Sequence, residues 1–322
     1  MTEIEQVTDR VLWDEYVRDG GGHPLQLWGW GELKSRHNWR AERFILKENG
    51  VAVSAAQVLY RKLPKPFGSI AYIPRGPVGR QSREVYRALS DYVRKNTDAL
   101  ALTVEPDSVQ GPDFAPWHRS KNRILMSDTL ILDLSKTPDE LLAACTKKTR
   151  QYIRKSAGEG VVVKGITSRE GLVDCLKIYK DTARRAGFGL HDDSYYFDLS
   201  GDLGDASRVF GCYEGDELLS FLWLAVTPDI AFELYGGVSS RGQELRVNYT
   251  LKWECILQMQ RENIRRYDMN GLVSEGVGNF KTGFADHTDK LAGTFDMPLR
   301  PLYHIWSIGF PLLKSIARIL KR

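Results

Sequence analysis

"FELYGGVSSRGQELRVNYTLKW", residues 232–253, runs from a strand through a loop into a helix. Upstream lie the paired strands of "SRVFGCYEGDELLSFLWLAVTPDIAFELYGG", residues 207–237, and downstream the helix "RVNYTLKWECILQMQRENI", 246–264, with a further strand at "RRYDMNG", 265–271. Before them come a strand "GVVVKGI", 160–166, and a helix "REGLVDCLKIYKDTARRAG", 169–187. Strand and helix signals alternate, which predicts an α/β region with a partly antiparallel sheet.

The N-terminal half has the same character. "VLWDEYVRD" (11–19) has helical apolar spacing, "WRAERFILKENGVAVSAAQVLYRKL" (39–63) alternates as a hairpin about Asn49-Gly50, "SREVYRALSDYVRKN" (82–96) is an amphipathic helix, and "ALALTVEP" (99–106) is a short strand. After "TLILDLS" (129–135), the segment "TPDELLAACTKKTRQYIRKSAGEG" (137–160) reads as one helix, with Thr137 as N-cap, Pro138 in its first turn and a glycine stop. A chain of 322 residues is long for one core, so two lobes of roughly 150 residues are predicted, with a boundary near Ser135. The two halves share a loose order of elements without a residue-by-residue repeat.

A formal charge of +4 does not by itself announce a nucleic-acid binder. The four cysteines, Cys145, Cys175, Cys212 and Cys255, are far apart in sequence, against both a disulfide framework and a zinc site. There is no HExxH, no GxSxG and no metal-spaced cluster, so neither a metalloenzyme nor a serine hydrolase is expected. The polar N-terminus and the lack of a bilayer-length apolar run predict a cytoplasmic chain. The end "PLYHIWSIGFPLLKSIARILKR" (301–322) is basic and amphipathic, and suits either packing on the first lobe or an anionic membrane surface.

Three stretches carry chemistry. In "KKTRQYIRKS", Lys147, Lys148, Arg150, Arg154 and Lys155 form a cationic run with no acidic residue before Glu159, either a solvated helix face or a phosphate-binding one. "RRAGFG", 184–189, matches the pyrophosphate loop of acetyl-CoA-dependent acyltransferases, but it closes a helix where such a loop must open one. The stretch with the right context, 232–253, lacks the glycine pattern. Finally "GVGNFKTGFADH", 276–287, reads as a glycine-rich loop that sets Lys281 between Phe280 and Phe284. That lysine either lays its stem along apolar surface or aims a partly dehydrated charge at an anion.

Together the chain resembles the FemABX family of aminoacyl-tRNA-dependent peptidyltransferases, through "QLWGWGELKSRHNW" (26–39), "YIPRGPV" (72–78), "KKTRQYIRKSAGEGVVV" (147–163), "GFGLHDDSYY" (187–196), "ELYGGVSS" (233–240), "YTLKWECI" (249–256), "YDMNGL" (267–272) and "FKTGF" (280–284). The resemblance implies an α/β fold of two tandem GNAT-like acyltransferase domains with mixed sheets flanked by helices, residues 1–135 plus 298–322 and residues 136–297. It implies transfer of an amino acid from aminoacyl-tRNA to an amine of a peptidoglycan precursor, nucleotide-linked or lipid-linked, by a monomer without CoA or metal. Lys281 would be catalytic. Lys34, Glu105, His191, Tyr195, Tyr235, Phe280 and Phe284 would bind substrate, and the cationic run would bind tRNA. His191 stands where the family pattern has an arginine, Asn270 where an aromatic is usual, and Glu105 where aspartate is common. A transferase of the same fold acting on another amine, or a non-catalytic RNA- or membrane-binding scaffold, is the alternative.

Overall fold

The computed structural model describes residues 2–272 and 275–309. The chain divides into two compact units, one of residues 1–127 with 290–322 and one of residues 128–289.

In the first unit the main sheet runs, in spatial order, Thr2–Gln6, Arg40–Glu48, Val51–Lys62, Ser69–Pro74, Ala99–Glu105, Phe295–Pro298 and His118–Arg119. The hairpin at Asn49-Gly50 forms as predicted, pairing Glu48 with Val51. Both turn residues have positive φ, the conformation that Asn-Gly adopts at little cost. This unit includes the helices α1 (Arg10–Asp19), α2 (Trp28–Arg36) and α3 (Arg83–Asn96). Ser82 caps α3, which buries Val85, Tyr86, Leu89 and Val93 in the core formed with Ile73, Leu102 and Val104. Each such aliphatic side chain contributes about 1.5–3 kcal/mol. The helix also serves as the crossover between Ser69–Pro74 and Ala99–Glu105, which are parallel.

The second unit repeats that plan in topology. Its sheet is Val162–Gly165, Ser207–Glu214, Glu217–Val226, Ile230–Val238, Arg266–Asp268 and Ile131–Asp133 in spatial order. Its helices are α4 (Pro138–Ala144), α5 (Lys147–Ala157), α6 (Arg169–Ala186), α7 (Asp193–Leu203), α8 (Ser240–Leu245), α9 (Val247–Arg261) and α10 (Glu275–Thr282). The parallel pair is Ile230–Val238 with Arg266–Asp268, and α8 and α9 are the crossover. Val247, Leu251, Cys255, Ile256 and Met259 of α9 share a core with Leu222, Leu224 and Tyr267. All four cysteines are buried thiols.

Three sequence expectations are corrected. The domain limits fall earlier than Ser135 and residue 298, because Ile131–Asp133 pairs with Arg266–Asp268 in the second sheet and Phe295–Pro298 pairs with Ala99–Glu105 in the first. The single helix expected over 137–160 is two. Thr146 turns extended, its hydroxyl accepts from the Thr149 N–H to start α5, and its own N–H donates to Gly283 O at 2.9 Å. The glycine-rich loop expected at 276–287 contains α10, since Phe280 and Phe284 anchor it in the core and tertiary packing outweighs glycine's poor helix propensity. Gly283 ends it at a close approach, where an added Cβ would meet the Thr149 hydroxyl at 2.3 Å.

Residues 303–309 are helical, and Trp306 packs on Phe67 with ring centroids 5.4 Å apart. The rest of the basic amphipathic end, Phe310 onward, lies outside the described residues. Among the described residues no helix is long and apolar enough to cross a membrane.

Candidate active site

Strand Ile230–Val238 keeps its parallel neighbour only as far as Phe232, opposite Asp268. Its register against Glu217–Val226 slips between Trp223 and Leu224. From Glu233 onward the strand has therefore lost one partner, which opens backbone and side-chain positions beside α9. Lys252 of α9 reaches this place on a stripe of buried residues that includes Ile256 and Met259. Its Nζ lies 2.5 Å from Glu233 Oε1, with side chains 4% and 6% exposed. The Tyr267 hydroxyl donates to the same Oε1 at 2.9 Å, and burial followed by the Glu233 charge pushes that phenol well up.

Lys281, on α10, donates from Nζ to Asn270 O at 3.3 Å and Gly271 O at 3.1 Å. Asn270 has positive φ and is itself fixed by donation from Nδ2 to Glu233 O at 3.0 Å. The Asx geometry of Asp268 and Asn270, a short polar turn, thus aims two carbonyls at the ammonium. Burial above all lowers the Lys281 pKa to about 8, with Lys252 lowering it further and Glu233 and Asp268 opposing. The flanking phenylalanines have a different charge to cover. The Lys252 ammonium lies 5.2 Å and 5.8 Å from the Phe280 and Phe284 ring centroids. Phe280 and Phe284 are held 5.4 Å apart and both contact Tyr249.

Three other sequence-predicted residues of this unit come together. Tyr195 and Tyr235 share a hydrogen bond, and the exposed His191 stacks on Tyr195 with centroids 3.9 Å apart. Tyr179 and Tyr196 close the cluster around Tyr235. Burial is the main cause pushing Tyr195 up to about 12 and raising Tyr235 well above the ordinary phenol range, so both are neutral hydrogen-bonding phenols at neutral pH.

On α5, Lys147, Lys148, Arg154 and Lys155 are exposed. Arg150, on the same helix, is half-buried. Its Nη1 donates to Ala143 O at 3.0 Å and to Cys145 O, capping the carbonyls where α4 ends. "RRAGFG" closes α6, with Gly187 left-handed at the C-cap. Arg184 pairs with Asp181, and Arg185 donates to Val238 O.

In the first unit, Lys34 of α2 holds its ammonium 4.5 Å from the Trp30 ring centroid, and burial first, then the Arg61 charge, lowers its pKa to about 8. Arg61 lies over Trp39, which contacts Tyr72. Tyr72 donates to Glu105, whose carboxylate also accepts from the Ile124 and Leu125 N–H groups and the Thr294 hydroxyl. Glu105 is thereby engaged within its own unit, tying loop and returning strand to the sheet.

The residues that sequence reading missed are Glu233, Lys252, Tyr267 and Arg61. A signal existed for the first two: a carboxylate inside "DIAFELYGG" and a lysine on the apolar stripe of "YTLKWECILQM" are each costly to bury alone and sit on neighbouring elements.

The sequence matches the FemAB family over residues 13–112, 115–210 and 215–308. Among curated proteins it is similar to a lipid II:glycine glycyltransferase of Staphylococcus epidermidis, 30% identical over 216 residues that cover 60% of this chain and 52% of the relative. The corresponding Staphylococcus aureus protein is 31% identical over 216 residues, 60% of this chain and 51% of that one. The chain thus spans about half the length of the curated relatives it matches. Of solved structures, the crystal structure of FemX superposes with a TM-score of 0.82 at 21% identity, covering 95% of this chain and 100% of that one. A tandem GNAT protein from the clavulanic acid biosynthesis pathway follows at TM-score 0.53 and 15% identity, covering 94% and 99%. At such identities the likeness is one of fold, and it bears out the tandem GNAT-like architecture.

Proposed function

The chain belongs to the FemAB family, and on that premise we propose that it is a non-ribosomal aminoacyltransferase, moving an amino acid from aminoacyl-tRNA to an amine of a peptidoglycan precursor's stem peptide. The observation that carries this reading is Lys281, an ammonium in a largely dry site with two of its three hydrogens spent on the Asn270 and Gly271 carbonyls. Among the described residues no third acceptor takes the remaining hydrogen.

The acceptor amine attacks the ester carbonyl. A C–N bond forms, the carbonyl oxygen takes up negative charge, the C–O bond to the ribose breaks, and the amine's proton is released. Lys281 stabilises the oxyanion and then the departing ribose oxygen, which it can protonate because its pKa is lowered to about 8. The ester is already activated, so the reaction calls for no CoA. The exposed cations of α5 contact the donor's phosphates. His191, Tyr195 and Tyr235 are the substrate-binding residues of this reading in the second unit, and Lys34 is the one in the first. The work is done in the cytoplasm, at the inner membrane face where the precursor is lipid-linked.

The test is mass spectrometry of purified precursor, nucleotide-linked and lipid-linked, incubated with the protein and charged tRNA. A gain of one amino-acid residue is expected. Precursor of unchanged mass with every charged tRNA overturns the reading.

A further inference from the structure

Beside Lys281 runs a series of aromatic faces that the chemistry above does not use. The Arg246 guanidinium lies 3.8 Å from the centroid of the Tyr152 ring, and the Lys148 ammonium is 5.7 Å from the same ring. Tyr152 meets Tyr249 edge-on at 4.9 Å, and Tyr249 meets Phe280, the neighbour of Lys281, edge-on at 4.9 Å. Tyr152, Arg246 and Tyr249 are half-buried, so each keeps some surface toward solvent. Arg246 stands between α8 and α9 with φ of 58°, a left-handed conformation that residues other than glycine adopt at a cost. Among the described residues no carboxylate pairs with Arg246, Lys147, Lys148, Arg154 or Lys155.

We propose that Arg246, Tyr152 and Tyr249 form a stacking platform for the unpaired 3′ nucleotides of an RNA, lying between the cationic face of α5 and Lys281. The inference rests on the aminoacyl-tRNA reading. In that donor the ester is on the terminal ribose, so the carbonyl can reach Lys281 only if the last unpaired nucleotides cross the ground between α5 and α10. Unpaired bases are held on aromatic faces and guanidinium planes, contacts that tolerate any base. A guanidinium held over a tyrosine ring adds a second planar surface for a base, and its charge meets a phosphate. Lysines alone would hold phosphates without ordering the bases.

The experiment is fluorescence anisotropy of a labelled, uncharged, single-stranded oligoribonucleotide ending in CCA, with the full chain and its variants at low salt. Tyr152→Leu removes a ring and no charge, and is expected to weaken binding roughly tenfold, the scale of one lost stacking contact. Tyr152→Phe keeps the ring and should bind as wild type. Arg246→Met should weaken binding similarly, and Arg246→Lys should recover little, having charge without a plane. Thermal melts establish folding, and should Tyr152→Leu fail to fold, the two Arg246 variants carry the test. Wild-type affinity in Tyr152→Leu, or full recovery in Arg246→Lys, overturns the platform even if the protein transfers amino acids. A Tyr152-dependent affinity in a protein that transfers nothing supports the platform and overturns the transferase reading instead.

Discussion

Lys252 Nζ sits 2.5 Å from Glu233 Oε1 in the interior of the second unit, and the same oxygen accepts the Tyr267 hydroxyl. Two opposite charges removed from water gain little over an apolar pair of the same shape, but each becomes costly once the other is gone. Glu233→Gln should therefore destabilise the protein by about 3–5 kcal/mol in denaturant unfolding at neutral pH. The double variant Glu233→Gln with Lys252→Met should lose less than the sum of the single losses. Strict additivity would mean that the two groups do not act as a pair.

Separate roles are expected for cations on one helix. Lys147→Glu with Arg154→Glu should weaken tRNA binding and flatten the dependence of log Kd on log salt, because two phosphate contacts are lost. Arg150→Ala should leave that slope unchanged and lower stability by about 1 kcal/mol, since its guanidinium caps the end of α4. Filter binding across a salt series, with a melt for each variant, reads both. An altered salt slope in Arg150→Ala would return that residue to the RNA face.

Much of the fold is written in local pattern. The Asn49-Gly50 turn, the Thr137 cap and the close of a helix at Gly187 are all short-range features, and each forms where the sequence places it. The split between α4 and α5 was not legible, because it depends on Thr146 N–H finding Gly283 O from a distant part of the chain. Lys281 stands out in the sequence for its phenylalanine neighbours, whereas its environment comes from Asn270, Gly271 and Glu233, and those rings cover Lys252. Arg150 shows what charge counting leaves out: spacing sets it among the cations of α5, and its Nη1 also donates to two carbonyls of the preceding turn.

In the first unit, Lys34 is half-buried beside Trp30 with the Arg61 charge nearby, and its pKa is lowered to about 8. Two like charges held together are stabilised by an anion between them. Binding of a nucleotide-linked muropeptide, followed by calorimetry, should be strong while Lys34 is protonated, below about pH 8, and weaken as pH rises through that value. Arg61→Gln removes the repulsion and lifts the Lys34 pKa, so its affinity should be lower at pH 7 yet hold to higher pH. An affinity flat from pH 7 to 9.5 in the wild-type protein would remove Lys34 from the phosphate site.

Lys281 gives a prediction in which activity and stability move in opposite directions. Its pKa is lowered to about 8 chiefly by burial, so the folded state releases the proton more readily than the unfolded chain does. Between about pH 8 and the ordinary lysine range the unfolded state holds more protons, and stability contributed by this group rises with pH across that window. Below the window the burial cost is fully present, so Lys281→Met should be at least as stable as wild type at pH 7. The chemical step depends on the charged form and should fall as pH rises through about 8. Single-turnover transfer from saturating aminoacyl-tRNA should slow about a hundredfold or more in Lys281→Met, the scale of losing an oxyanion donor, and the variant should lack the alkaline limb. Lys281→Arg should regain only part of the rate, because a planar fork does not reproduce a compact ammonium held by two carbonyls. A saturated rate equal to wild type in Lys281→Met would make the lysine a structural residue of α10 and leave the oxyanion without its cation. An unchanged saturated rate with weakened acceptor binding would place the ammonium on the ground-state substrate.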